Sequence, residues 1–535
     1  MSSENPPNIL WVSFEDVNPF YGCYGDPVVH TPNLDRLAQQ GCRWPNTFAT
    51  AGVCAPARSA VITGMHPVSI GTHHMRTTHL NEVTPDLPTP YSAVPPPYVK
   101  CVSEYLRAAG YYCTNNAKTD YQFDPPVTAW DENHENAHWR NRPDPDQPFF
   151  AVFNLLATHE SGMFEGQPAE FSGKTEDIPL PPYFPDTPKV RDSMARMYAS
   201  IEYNDARLGE LLQQLEEDGL AENTVVFHWS DHGPLPRGKR WPYDSGTHVP
   251  MIVRWPNNIT PDTVSDRLLS TVDLAPTLLS IAGIDIPYHL QGRAFLGPQE
   301  APARDYVFMT RDRYDESYDM VRAVRDKRFK YIRNYRPELP YALWIPSRNK
   351  HPIMQEIWRL HLEDRLQGPE KLLMQSNRPV EELYDIQNDP HEIENLAGLS
   401  DYHAVLERFR TTLDQWRKEV ADLGNIPESE MVRQWYPQGN RPTTAAPLIL
   451  PITSDSPGTE PAPEGGTYQA PLMIQLYCAT QGASIAYTFD AGDTPHWQLY
   501  TSPIRLSKGK HTLRAKAVRI GYLESDESVV PLNVD

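Results

Sequence analysis

The residues able to do chemistry fall into two groups. The first is the stretch Val53-Cys54-Ala55-Pro56-Ala57-Arg58-Ser59, which continues to Thr63 and Gly64. Pro56 suits the first position of a helix, where a missing N–H costs nothing, and Gly64 suits its end. The spacing predicts a short helix with Cys54 just ahead of its N-terminus, where free N–H groups and the helix dipole favour negative charge. Arg58 adds a fixed positive charge on the first turn. A group at position 54 is therefore suited to attack a charged ester.

The second group is Glu15, Asp16, Lys118, His159, Asp231 and His232. Each lies at or shortly beyond the end of a stretch that reads as a buried strand: 9–14, 111–114, 149–156 and 225–229. Helical periodicity or capping marks 33–41, 102–109 and 189–219 between them, and 250–255 reads as one more strand after Lys239. Alternation of this kind implies an α/β fold, a mostly parallel sheet with helices on both faces. Ligands collect at the carboxyl ends of such strands. Four strands converging on carboxylate, lysine and histidine outweigh a chance set of polar loop ends.

Past residue 285 the pattern becomes α+β, with antiparallel alternation over 318–333 and a helix over about 402–423. Residues 437–466, rich in Pro, Thr, Ser and Gly, read as a linker. The expected organisation is a catalytic α/β subdomain over residues 1–285, an α+β subdomain over 286–436, the linker, and a small all-β sandwich over 467–535.

The Cys-x-Pro-x-Arg motif resembles the signature of the type I sulfatases, with Ala57 where most members carry Ser. The resemblance extends over roughly 8–425: the opening strand with Glu15-Asp16, Thr31-Pro-Asn-Leu-Asp-Arg-Leu-Ala38, Tyr198, Ile201, Asp205 and Gly209, Ser230-Asp-His-Gly233, and Gly238-Lys239 to Gly246. Residues 485–522 resemble the β-sandwich module of chitobiase-type hexosaminidases, read as carbohydrate-binding or as a spacer. The family has the alkaline-phosphatase-like fold and converts its cysteine to Cα-formylglycine with a maturation enzyme.

That resemblance implies roles. Glu15, Asp16, Asp231, His232 and the modified Cys54 would ring one divalent cation, calcium first and magnesium second. Arg58 with the cation would lower the cost of ionising a hydroxyl of the hydrate, Lys118 and Lys239 with the cation would hold the sulfate oxygens, and His159 would protonate the leaving sugar oxygen. Three departures stand out: Glu15 where Asp is usual, His232 where many members have Asn, and Asp120 where the family shows a histidine after Lys118. Gly71 to Arg76 and Arg311 to Asp315 resemble the bacterial branch grouped with heparan N-sulfatases. From these, His73, His74, Arg76 and Arg313 are the expected sugar-binding residues, their loop reaching the mouth of the pocket.

The substrate class is a sulfated poly- or oligosaccharide. A phosphonate monoester or phosphodiester hydrolase is the nearest rival. An alkaline-phosphatase-like enzyme would need Ser or Thr as nucleophile and a second metal cluster. A silent carbohydrate-binding protein would keep Cys54 unmodified.

With 48 Lys+Arg against 69 Asp+Glu, the net charge is −21. That excludes a general nucleic-acid or anionic-membrane binder, while a local basic pocket still suits an anionic substrate. The 6 cysteines form no CxxC pair or zinc-type spacing. No run is long enough to span a membrane, and the start lacks the basic and apolar regions of a signal peptide. The chain is expected either to stay inside the cell or to lack its export signal in this version.

Overall fold

Asn8–Phe14 (NILWVSF) is a strand with every residue buried, and Thr224–Ser230 (TVVFHWS) is another. Continuous apolar runs of this length suit strands covered on both faces. In this computed structural model, which describes residues 6–80, 82–164, 170–454 and 456–535, the two pair in parallel from Asn8↔Thr224 to Phe14↔Ser230. Equal register means that both strands end together, so Glu15-Asp16 and Asp231-His232 leave the sheet side by side.

The chain divides into two compact units, Met1–Arg76 with Val152–Asn425 and Thr77–Ala151 with Ile426–Asp535. In the first, the strand order is Phe149–Leu155, Asn8–Phe14, Thr224–Ser230, Met251–Arg254, Cys42–Arg43 and Thr263–Val264. Asn8–Phe14 with Thr224–Ser230 and Cys42–Arg43 with Thr263–Val264 pair in parallel, as the sequence suggested, and the single strand Met251–Arg254, antiparallel to both neighbours, makes the sheet mixed. The connection from Ser230 to Met251 carries only the four-residue helix Asp244–Thr247. A parallel return needs a longer crossover element.

The long helix Pro188–Glu217 starts at Thr187, whose hydroxyl accepts from the Val190 amide, and buries Met194, Met197, Tyr198, Ile201, Leu208, Leu212 and Leu215. Asp205 on its buried face accepts the amides of Asn33 and Leu34 at 3.1 and 2.8 Å. These are orphan donors of the Pro32–Gln39 helix, which starts one residue before the expected Asn33 and has Thr31 as its N-cap. A second, antiparallel sheet orders Val307–Arg311, Val321–Arg325, Phe329–Asn334 and Glu381–Asp385. Helix His403–Glu419 covers it, with Leu406, Phe409, Leu413 and Trp416 packed on Val324, Phe329, Tyr331 and Leu383.

The second unit holds helix Val102–Ala108, strand Tyr112–Asn116 and two small sheets. Ile449, Leu472, Ile474, Leu476, Leu513, Ala515, Val530 and Leu532 form the core between those sheets. Leu448–Ile452, inside the stretch read as a linker, is a strand paired antiparallel with Leu472–Tyr477. Pro447 and Pro451 hide it in the sequence, since proline is tolerated at the start or edge of a sheet. Segments remote in sequence meet within this unit: Lys100 Nζ donates to the Gly482 carbonyl and to Ser484 Oγ, both at 2.8 Å. Among the described residues no helix is long and apolar enough to cross a membrane.

Candidate active site

The nucleophile helix runs Cys54–Thr63, with Val53 in extended conformation as N-cap and Gly64 closing it at φ +66°. Cys54 is thus the first helical residue rather than the one before it, and Pro56 lies inside the first turn. All ten residues are buried. The thiol faces the two strand ends: Cys54 Sγ is 3.2 Å from His232 Nε2, 3.5 Å from Glu15 Oε1 and 3.9 Å from Asp16 Oδ1. Asp16 takes the left-handed conformation (φ +51°), held where its amide donates to Asp231 Oδ1 at 3.0 Å. Strained backbone of this kind is kept where the surroundings over-determine it.

One ligand atom from each of Asp16, Cys54, Asp231 and His232 lies within 4.8 Å of the others, and all four residues are buried. His232 Nδ1 lies 3.0 Å from the Gly233 carbonyl, to which its N–H donates. The Nε2 lone pair then points at Asp16 Oδ1, 3.1 Å away. Two carboxylates, an imidazole lone pair and the atom borne by residue 54 fit a divalent cation. Glu15 reaches the same thiol from the side.

Cations close the cluster. Arg58 Nε meets Asp231 Oδ2 at 2.9 Å and its Nη1 meets Asn154 Oδ1 at 2.8 Å, while Ser13 Oγ donates to the same Asn154 oxygen. Lys239 Nζ lies 2.5 Å from Asp16 Oδ2 and 3.3 Å from Glu160 Oε1. Burial alone would raise the Asp16 carboxyl, but the Lys239 ammonium beside it outweighs burial and holds it below the ordinary range. Burial would lower the Lys239 ammonium, yet Asp16 and Glu160 raise it, so it stays charged. The backbone around Lys239 is tightly packed, because a Cβ on Gly238 would come 2.1 Å from the Ser245 carbonyl oxygen.

His159 follows the Phe149–Leu155 strand through a short turn and is partly open to solvent. Its Nδ1 accepts the Ser161 amide, and its Nε2 lies 3.4 Å from Lys239 Nζ and 3.9 Å from Asp16 Oδ2. Nε2 therefore faces the cluster, where a general acid is needed.

The neighbours of these residues escaped sequence reasoning. Glu160 bonds Arg240 through both carboxylate oxygens, at 3.0 and 3.2 Å. Arg240 in turn meets Asp315 at 2.6 Å, and Asp315 pairs with Arg76. Alternating charges therefore link Arg76, Asp315, Arg240, Glu160, Lys239 and Asp16. The only sequence signal was that Glu160 and Arg240 directly follow His159 and Lys239.

The expected sugar-binding loop is largely interior. His73 and His74 are buried, and His74 Nδ1 accepts the Arg313 amide at 3.2 Å. Arg313 is also buried, donating to the Met75 and Asp315 carbonyls at 2.8 and 2.6 Å. Of these four only Arg76, with a side chain 42% exposed, faces solvent. His73, His74 and Arg313 lie inside because they carry the joint between Met75 and the Arg311–Asp315 segment. Lys118 belongs to the second unit, where its amine is 3.1 Å from Asp120.

This fold and site define a hydrolase of α/β architecture built around a buried residue 54 and a cation-competent carboxylate cluster. Residues 7–144 and 135–284 match the family model described as Sulfatase. Residues 232–357 match that of the N-sulphoglucosamine sulphohydrolase C-terminal region, and 463–530 that of the chitobiase/beta-hexosaminidase C-terminal domain. An ulvan-active sulfatase of Formosa agariphila is 43% identical over 560 residues, covering 97% of this chain and 90% of that protein. Human N-sulphoglucosamine sulphohydrolase is 27% identical, covering 78% of this chain and 91% of that one. Among solved structures, a 2-O GAG sulfatase aligns with TM-score 0.57 at 19% identity, over 78% of this chain and 93% of that one. A phosphonate monoester hydrolase of Agrobacterium radiobacter aligns with TM-score 0.55 at 18% identity, over 78% and 97%. The chain belongs to the sulfatase family and is a sulfuric ester hydrolase.

Proposed function

We propose that this sulfatase removes sulfate groups from a sulfated polysaccharide of the ulvan type, using a formylglycine made from Cys54 and a divalent cation. The observation that carries the reading is the convergence of Asp16, Cys54, Asp231 and His232 at the start of the Arg58 helix. The substrate class rests on the 43% identity, over nearly the whole chain, to a protein named for ulvan. Asp16, Asp231 and His232, with Glu15 beside them, would hold the cation; carboxylate donors favour calcium, with magnesium second.

The hydrate of the modified residue would supply an oxygen nucleophile, and a cation held by Asp16, Asp231 and His232 would lower the cost of ionising it. Arg58 and Lys239 hold the sulfate oxygens as their charge grows, and both are already oriented, by Asn154 and by Glu160. His159 Nε2–H donates to the leaving sugar oxygen. Lys118 is assigned to the sulfate by family resemblance.

Intact mass and ion chromatography test the reading together. Conversion of Cys54 lowers the mass by about 18 Da. Desulfated product is expected from ulvan oligosaccharides in the presence of calcium, and aryl sulfate is expected to turn over faster than aryl phosphonate. An unmodified thiol in active protein, or a preference for the phosphonate, would overturn it.

A further inference from the structure

Next to the Lys239–Glu160–Arg240 chain lies a pair of buried side chains that the reaction does not use. The short helix Pro346–Asn349 is followed by a turn closed where the His351 amide donates to the Arg348 carbonyl at 2.9 Å. Arg348 and His351 therefore project from one turn, three residues apart. Their residual exposures are 1% and 0%. Ser347, between them and the chain, accepts from Arg240 Nη2 at 3.1 Å.

The unmet atoms of Arg348 and His351 are all donors. Arg348 gives Nη2 to the Leu343 carbonyl, while its Nε and Nη1 find no acceptor among the described residues. His351 Nδ1 accepts the Ile353 amide, so the neutral ring carries its proton on Nε2, and that N–H also has no acceptor. Burial and the nearby Arg240 and Arg311 push the Arg348 guanidinium down to about 9, so its positive charge is poorly tolerated there.

Each neighbouring cation meets a carboxylate and Arg348 does not. Lys239 has Asp16 at 2.5 Å, Arg240 has Glu160 at 3.0 Å, and Arg311 and Arg378 share Asp319 at 2.9 and 2.8 Å. Glu160 and Asp315, the carboxylates whose field reaches Arg348, are committed to Lys239, Arg240 and Arg76. A buried guanidinium without a counter-charge is costly, and its unmet donors call for an anion.

We propose that Arg348 and His351 bind a small monovalent anion, chloride foremost, in the interior of the first unit. Enclosure sets the size: a saccharide carboxylate or sulfate would have to unpack the segment to reach atoms this buried, whereas a halide needs only their N–H groups. The bound anion supplies the missing negative charge and leaves Glu160 free to orient Lys239.

The test uses the full-length, metal-loaded protein, melted at constant ionic strength while gluconate is replaced by chloride or bromide up to about 100 mM. The wild type is expected to gain roughly 2–4 °C. Arg348→Met is expected to lose that gain and to melt no lower than wild type in gluconate, since an uncompensated charge has gone. Should the variant fail to fold, wild-type crystals grown in bromide are expected to show an anomalous peak within hydrogen-bond reach of Arg348 Nε. Melts indifferent to halide, a halide gain that survives Arg348→Met, or water alone at Arg348 in the bromide map would each overturn the proposal. The melts and the map read no turnover, so they test the site apart from the proposed substrate.

Discussion

The Cys54 cluster and the β-sandwich of the second unit use the same ion pairs to opposite effect. In the sandwich, Arg514 meets Glu527 at 3.0 Å and Lys516 meets Glu524 at 2.8 Å, and all four side chains keep contact with solvent. Water screens such pairs and leaves them worth about 0–1 kcal/mol. In the cluster, Arg58–Asp231, Lys239–Asp16 and Arg240–Glu160 are closed off, with no side chain more than 6% exposed. There the pairs add little net stability, but removing one partner strands the other charge without water. The sandwich is held by its apolar core; the cluster is held together by its own charge balance.

The sharpest way to break that contrast is Cys54→Ala. It removes the only atom from which the nucleophile can be made and leaves the ion pairs intact. Sulfate release is expected to fall by at least about 10⁴-fold with the melting temperature little changed. A retained rate in protein verified by mass would place the chemistry elsewhere.

Glu160→Gln leaves Arg240 with Asp315 alone and Lys239 with Asp16 alone. It is expected to cost about 3–5 kcal/mol at neutral pH by chemical denaturation. Burial alone would raise the Glu160 carboxyl, but Arg240 and Lys239 hold it well below the ordinary range. A depressed carboxyl contributes stability above its unfolded pKa and loses it as pH falls through the folded one, so the gap between wild type and variant should close in acid. A gap independent of pH would mean that the side chain acts by shape alone.

Glu392 sharpens the comparison in the other direction. Burial lifts its pKa to about 7 against the attraction of Lys330, 3.1 Å away, and Asp244 adds to the lift. A raised pKa stabilises the fold below the unfolded value of 4.5 and loses that contribution as pH climbs towards 7. Melting curves of Glu392→Gln across this window should lack that decline, a difference on the order of 1–2 kcal/mol. The smallest effect belongs to the sandwich: Arg514→Ala should leave the denaturation midpoint nearly unchanged, and high salt should shrink what difference there is.

The regions of the molecule with local causes were legible before the structure. Asn8–Phe14, Thr224–Ser230 and Pro188–Glu217 follow from apolar periodicity, and the acids that end the two strands follow from the strands. The Cys54 helix was legible to within a residue, because its Pro and Gly punctuate it. What stayed hidden depends on partners far away in sequence. Asn154 orients Arg58 across 96 positions, and Glu160 finds Arg240 across 80. The burial of His73, His74 and Arg313 is of the same kind, since a polar loop sequence looks the same whether another segment covers it or water does. Leu448–Ile452 was missed because its prolines speak for a linker until Leu472–Tyr477 is beside it.

The helix that carries Cys54 has not one residue open to solvent, and the residue itself is 3% exposed. Burial on that scale sets a schedule. An enzyme that must grip the backbone around position 54 to oxidise its thiol can do so while the chain is still extended, and finds the door shut once the strands on either side have paired. On the reading proposed above, the modified fraction of a preparation is then a record of a race between folding and modification. Slower synthesis, a lower temperature or a destabilised sheet would each lengthen the head start of the modifying enzyme, and late addition of that enzyme to folded protein would find nothing to act on.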